Sequence, residues 1–474
     1  MVLSSYINNL KFTAMRKLRL LAALAAIVAV GCQQENFDEV VLPDNDTIAV
    51  EQSGFRSYDE ALEIAENSIR LIEGKDVTRS TMKRRIIKNN VQTIRSNATR
   101  SGNTSDDPVA YVVNFEDNQG FAVIAANEQI NPLIAVTESG NYTYGEPTGV
   151  EAFDDYMDNA ISTLAIVYPP IILPDDPITP IIPTPAEYYE DVDIYNRVEP
   201  LLTTRWGQGG IHGAKYPNGH VLCAAVAVGQ ILAYHKKPKS IQMTHSNNTN
   251  VTIDWDGILD HDPTITYTEY VDYCHCGCNY DALGELLYEI GYRLSLYDQQ
   301  FNPNITHVCD GSGYTVSIES LLIDIGYYSA ELDSFYVPYG DKHQIFRDLD
   351  SERPVIMYGE SPNGDVGVGH VWIVDGYHEE SYGQKHYITN PAYNSLHPVD
   401  GVSQYILHCS TVETTEMLHF NWGYDGHCNG WFTYGIFDLG SGVSYDNTGY
   451  WFDNNIDYDF SSYLYYIRDI KSWL

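Results

Sequence analysis

The sequence predicts an α+β protein made of a small N-terminal unit and a larger C-terminal domain. Three observations predict it: one amphipathic helix followed by short β runs, a proline-rich stretch that interrupts the chain, and beyond it two apolar helices ahead of a series of strands. The 474 residues, 44% of them hydrophobic, leave room for two to three domains with a real core.

The chain opens on an address. From Met15 it reads MRKLRLLAALAAIVAVGCQQ, with Arg16, Lys17 and Arg19 ahead of an apolar stretch too short to span a membrane comfortably, the layout of an export signal over residues 1–31. Ala29-Val30-Gly31-Cys32 resembles the bacterial lipobox, in which the cysteine is lipidated and becomes the first residue; Ala29 stands where leucine is usual. An acidic tether over 32–54 would then space an anchor from a folded body.

The N-terminal unit is expected over 55–167. Ser57 and Glu60 stand in capping-box spacing, and Ala61, Leu62, Ala65, Ile69 and Ile72 follow at helical intervals. Residues 78–107, rich in Lys, Arg, Asn and Ser, read as an exposed loop. Two β runs at 111–115 and 121–125 are joined by the turn residues Asp117, Asn118 and Gly120, and a third at 133–136 completes a small sheet.

A linker is expected over 168–197. Seven prolines lie between Tyr168 and Pro185, so the chain there should run extended and exposed, a natural place for a proteolytic cut that would leave a new terminus between Tyr168 and Asn196. Residues 198–474 form one large domain. Its helices are expected at 224–234 and 283–294, its strands in RPVIMYGE, HVWIVDGY, KHYITNP, MLHFNWGY and WFTYGIFDL.

Charge narrows the function. With 27 basic against 64 acidic residues the net charge is −37, which repels phosphate backbones and anionic lipids; no nucleic-acid partner is expected, and membrane contact only through a lipid on Cys32. Cys274, Cys276 and Cys278 cluster around His275, but CxCxC lacks the CxxC pairs common in zinc sites, so disulfides or a surface loop are expected there and no metal or other cofactor. Cys309, Cys409 and Cys428 are scattered.

Four pieces carry the chemistry. Cys223 opens the apolar run CAAVAVGQILAYH, at a helix first turn where unpaired N–H groups favour a thiolate; taken alone, the stretch suits a buried structural cysteine better. His370 follows Gly367 and Gly369 and heads the strand VWIV, after which Asp375-Gly376 is expected to turn the chain. Asn421 and Trp422 end a strand before a glycine-rich turn, where an amide or an aromatic edge beside an imidazole can fix its orientation. Gln208, in TTRWGQGG, could donate to an oxyanion if the loop to Cys223 folds back.

The succession WGQGG, a cysteine-headed helix ending QILAYHKKP, GHVWIVDGY and FNWGYDGHCNGWF resembles the streptopain family of secreted bacterial cysteine proteases, and the YVVNF to INPLIAV region resembles that family's propeptide. The resemblance implies a papain-like domain preceded by an inhibitory prodomain, with Cys223 as nucleophile, His370 as general base, Trp422 beside the histidine and Gln208 as oxyanion donor. It implies a secreted or surface-anchored endopeptidase made as an inactive precursor, acting on proteins or peptides. Leu222 stands where the family usually has glycine, and 50 residues separate His370 from Asn421, so 378–410 is expected as an insertion or lid beside the site. Two other readings use the same residues. One is a decayed surface lipoprotein that binds peptides or glycans, suited by 38 tyrosines on an acidic chain; the other, ranked last, is a transglutaminase-like acyltransferase.

Overall fold

The computed structural model describes residues 54–95 (without 75 and 79), 107–166 (without 129–130), 187–259 (without 217, 218 and 247), 280–297, 313–334, 342–360, 369–389, 405–410, 413–434 and 465–472. The expected export signal, Cys32, the tether to 53, the proline-rich segment, the cluster around His275 and Cys309 lie outside the described residues. No described helix is long and apolar enough to cross a membrane.

The N-terminal unit sandwiches strands between two helices. Helix α1 (Tyr58–Glu73) starts on Ser57, whose hydroxyl accepts from the Glu60 N–H while the Glu60 carboxylate accepts from the Ser57 N–H, the reciprocal cap read from the sequence. Strands β1 (Ile86–Arg95), β2 (Pro108–Phe115), β3 (Phe121–Ala125) and β4 (Leu133–Thr137) pair antiparallel in that order. Alternation splits β2 between two cores: Tyr111, Val113 and Phe115 face Ala61, Ala65 and Ile69 of α1, while Ala110 and Val112 face the opposite side. That side is covered by α2 (Glu151–Ile166), whose Phe153, Met157, Ala160, Ile161 and Leu164 recur at helical intervals and are all buried.

Strand β5 (Glu187–Val198) follows, then α3 (Cys223–His235), the hairpin β6 (Ser240–Met243) and β7 (Thr249–Thr252), and the short α4 (Trp255–Leu259). Helices α5 (Tyr280–Tyr297) and α6 (Gly313–Asp324) precede β8 (Tyr327–Ser334), α7 (Lys342–Asp350) and β9 (Val355–Glu360). The remaining strands are β10 (Gly369–Thr389), β11 (Tyr405–Ser410), β12 (Glu413–Asn421), β13 (Gly430–Thr433) and β14 (Tyr465–Ser472). Helices early and strands late in the larger domain are the α+β order read from the sequence.

Among the described residues one antiparallel sheet runs β1-β2-β3-β4-β13-β12-β10-β9-β14-β8, with β5 and β11 both on β10. The N-terminal sheet is therefore no separate body: Ala135, Val136 and Thr137 of β4 pair with Phe432, Trp431 and Gly430 of β13. On one face of the central strands Ile356, Tyr358, Val371, Ile373 and Ile467 pack under α3, α5 and α6; on the other Met357, Trp372, Val374, Phe420 and Tyr466 join α2 and α7 in a second core.

Several expectations are corrected here. The expected loop 78–107 contains β1, an edge strand with three consecutive exposed residues in its middle, which explains the polar composition that hid it. Residues 187–197, assigned to the linker, form most of β5, paired with β10 from Tyr377↔Val198 to Ile388↔Glu187. Asp375-Gly376 does not end a strand: Asp375 is bulged out of the β10–β12 register between Val374 and Gly376, and β10 continues to Thr389. The supposed lid at 378–410 is, in its described parts, a β arm formed by the far half of β10 with β5 and β11. Residues 390–404 lie outside the described residues.

Candidate active site

Helix α3 presents Cys223 as its first residue. Every residue from Cys223 to Ala233 is buried, so apolar packing drives the helix into the interior, and Val226 in its first turn lies 3.3 Å from where a Cβ on Gly423 would stand, next to Trp422. Its crossing with α5 depends on Gly229, where a Cβ would lie 2.6 Å from Leu287 and 3.3 Å from Trp206. The helix cap, Leu222, offers no side-chain acceptor, and Cys223, 9% exposed, forms no disulfide. The positive end of the helix dipole therefore lies at a reduced sulfur.

His370 is the second residue of β10, in register with Gly359 of β9. Its ring runs parallel to Trp372 on the same strand face, at 6.4 Å, with Tyr424 at 5.4 Å and Trp422 at 6.5 Å. Its Nε2 lies 2.8 Å from the backbone carbonyl oxygen of Trp422. A carbonyl can only accept, so Nε2 carries the proton and Nδ1 is left as the basic nitrogen. Val371 and Ile373 belong to the same core as Cys223.

Gln208 lies on a loop that does fold back. Its carbonyl accepts the Val221 N–H at 2.8 Å, two residues before the cysteine. The return is tight: a Cβ on Gly213 would sit 2.0 Å from the Gly219 carbonyl oxygen. His212 helps to hold the loop, its Nδ1 accepting the Gly207 N–H at 3.4 Å; burial drives its pKa down to about 4, so the ring is neutral and can accept, and its 3.6 Å approach to Asp425 is no ion pair.

Asn421 is placed differently from the expectation. It is buried and in register with Ile373, and its amide points to Gln230 and to the Thr204 carbonyl, at 3.2 and 2.9 Å, instead of to the imidazole. The orienting acceptor for His370 is the next residue's main chain. Trp422 itself is fully buried, at 5.3 Å from Trp372, and screens that hydrogen bond from water. Sequence reasoning missed His212, Gln230 and the Trp422 carbonyl. A backbone acceptor has no signature in residue identity, whereas Gln230, a lone amide in an apolar helix, was a readable signal.

The N-terminal unit reaches this wall from behind. Phe153 and Tyr156 of α2 lie 6.5 and 6.0 Å from the Trp422 ring, and Tyr156 lies 5.2 Å from Phe432. Beside them is a buried charge relay. His419 Nδ1 is 2.6 Å from Asp375 Oδ1, and its Nε2 is 3.4 Å from Glu138 Oε1, which comes from the segment after β4 and also meets Arg205 at 3.1 Å. Burial pulls the His419 pKa down, but the two carboxylates outweigh it and push it up to about 9, so the ring is a cation at neutral pH.

A thiol at a helix start, a histidine at a strand start and an N-terminal unit packed behind the histidine are the arrangement to be set beside known proteins. Residues 189–432 match the peptidase C10 family and residues 50–161 match the Spi protease inhibitor. The first match spans more than half of the chain, and the chain belongs to the peptidase C10 family, with a small α+β unit of the Spi inhibitor type ahead of it. It is 22% identical over 382 residues to the thiol protease/hemagglutinin PrtT of Porphyromonas gingivalis, covering 74% of this chain and 37% of that protein. Among solved structures, a prointerpain A fragment from Prevotella intermedia is similar, with 20% identity and a TM-score of 0.44, over 81% of this chain and all of that one. Active interpain A from the same organism is 19% identical, with a TM-score of 0.33, over 58% of this chain and 96% of its own.

Proposed function

We propose that the protein is an exported cysteine endopeptidase, made as an inactive precursor, that cleaves proteins or peptides through Cys223 and His370. The observation that supports this is the 2.8 Å contact from His370 Nε2 to the Trp422 carbonyl, which leaves Nδ1 as the nitrogen to take the thiol proton. With the proton shared between sulfur and Nδ1, the thiolate attacks the peptide carbonyl, and the oxyanion takes the Cys223 N–H and the Gln208 amide. His370 gives its Nδ1 proton to the leaving amine. It then takes one from water, which attacks the thioester and returns the sulfur as thiolate.

Cys223→Ala is expected to leave an uncut full-length chain and no hydrolysis of casein; a variant that still cuts itself and digests casein removes the thiol from the reaction. Export rests on Arg16, Lys17, Arg19 and the apolar run before Cys32. Anchoring through Cys32 predicts incorporation of labelled fatty acid that Cys32→Ser abolishes; label retained by that variant sinks the anchor and leaves the peptidase reading intact.

A further inference from the structure

We propose that Gln230 is a positioning residue for this chemistry, clamping the segment that orients His370 and the segment that carries Gln208 onto the helix that carries the thiol. The inference rests on the roles given above to Cys223 and His370.

Gln230 follows Cys223 by seven residues, which places it on the same face of α3, two turns and about 10 Å further along the axis. It is 1% exposed and the one amide in a helix otherwise buried through cysteine, alanine, valine, glycine, isoleucine and leucine. A buried amide is costly unless its groups are bonded, and here they are bonded to two separate parts of the site. Its Oε1 accepts the Trp206 N–H at 3.3 Å, two residues before Gln208. The same oxygen accepts Asn421 Nδ2 at 3.2 Å, and Gln230 Nε2 returns a long bond of 3.5 Å to Asn421 Oδ1, so the two amides face each other head to head.

Asn421 passes the restraint on. Its Oδ1 accepts the Gly423 N–H at 3.2 Å and its Nδ2 donates to the Thr204 carbonyl at 2.9 Å. Trp422 is thus bracketed between a residue tied to Gln230 and a residue tied to Asn421, while its own N–H is held by Asn429 Oδ1 at 3.0 Å. What remains of the Trp422 main chain is its carbonyl, which accepts the hydrogen bond from His370 Nε2–H. The direction of the carbonyl sets the ring angle, hence where Nδ1 stands relative to the sulfur; the amide that fixes it belongs to the sulfur's own helix. Helix and histidine then move as one body.

The test uses the full-length chain. Iodoacetamide alkylation of Cys223 is followed by mass spectrometry between about pH 4 and pH 9, alongside the rate of self-processing. Gln230→Met, which keeps length and removes both hydrogen-bonding atoms, is expected to raise the pH midpoint of alkylation by about one unit or more and to slow self-processing about tenfold. Asn421→Ala cuts the same bond from the other side and is expected to give the same shift, so it serves if the Met variant does not fold. Because the two residues share the bond between their amides, the double variant should fall well short of the sum of the two single effects. Leu294→Ala, a truncation in α5 within the same core, is the control for simple loss of stability and should leave the midpoint in place. A wild-type midpoint in a folded Gln230→Met chain, an equal shift in Leu294→Ala, or additive effects in the double variant each overturn the proposal while the thiol's role stands. Continued self-processing by Cys223→Ala, with Cys223 alkylated no more readily than Cys428, removes the catalytic reading and this proposal together.

Discussion

The strand that carries His370 is packed on its two faces by helices of opposite character. Val371 and Ile373 lie under α3, a helix apolar all round, with Gln230 as its one buried amide. Trp372 and Val374 face the core that includes α2, which buries one stripe and keeps Glu151 and Asp158 exposed on the other side. A helix buried on every side cannot leave without unfolding the domain, whereas a one-sided helix can be lifted off and still be soluble. The difference separates a permanent wall of the site from a removable brace.

The comparison breaks most easily at Phe153, which is fully buried and meets Phe121, Tyr142, Trp422 and Phe432 edge-on at 5.3 to 6.5 Å. Phe153→Ala removes about 3–5 kcal/mol of packing. If α2 is a brace, that loss falls on its docking: self-processing should quicken, and amide exchange should rise in α2 before it rises in α3. Leu232→Ala, of similar cost in α3, should lower the unfolding midpoint of the whole larger domain and not quicken processing. The same response from both variants would show that the two faces do not differ.

The charge relay joins the two regions, because Glu138 belongs to the N-terminal unit and Asp375 and His419 to the larger domain. Burial raises the Glu138 pKa, but hydrogen bonding and the charges of His419, Arg205 and Arg84 hold it below the ordinary carboxylate value. A lowered acid contributes stability above about 4.5 that is lost as pH falls through its folded value, and a raised histidine contributes stability below about 6.5 that is lost as pH rises through about 9. Asp375 stays beside His419 in the larger domain, so the docking-dependent part lies with Glu138: docking should hold at and above about pH 5 and loosen as pH falls below about 4.5. Glu138→Gln is expected to cost about 2 kcal/mol at neutral pH and to flatten the acid limb. Retention of the cut N-terminal unit, measured by gel filtration across pH, checks this; an unchanged acid limb in the variant would place the sensitivity elsewhere.

Which parts were legible follows from what each residue had to satisfy. Helix α3 and β2, β3 and β4 were readable because their burial is encoded in uninterrupted or alternating apolar residues. Helix α2 carried the same signal, Phe153, Met157, Ala160, Ile161 and Leu164, and went unread among acidic neighbours that simply mark its outer face. Strands β1 and β5 were hidden for another reason: lying at a sheet edge or along an exposed arm, they owe their form to partners 13 to 29 and 179 to 201 residues away and not to their own composition. The catalytic candidates were legible as residue types, but their geometry was not. Nothing in the letters Asn421-Trp422 says that the tryptophan's carbonyl, and not the asparagine's amide, meets the imidazole.

Strand β5 yields the smallest expected effect and a sharper forecast of where the chain is cut. A protease needs extended, unpaired chain in its groove, and residues 187–198 are already paired along β10. The principal new terminus should therefore lie ahead of Glu187, within the proline-rich stretch, a narrower window than the expected one that ran to Asn196. The start of β5 is held mainly by Tyr189, 57% exposed, whose ring stacks on His386 at 4.4 Å and 7°, with Asp191 bonded to Gln384 at 2.8 Å a little further in. Tyr189→Ser removes a cross-strand aromatic pair of about 0.5–1 kcal/mol, enough to fray the first turn of pairing without detaching the strand. N-terminal sequencing should then find a minority of termini moved into 187–191 and the overall processing rate nearly unchanged. A main terminus beyond Val192 in the unmodified chain would mean that β5 opens before the cut, and the arm would have to be counted with α2 among the parts that come away.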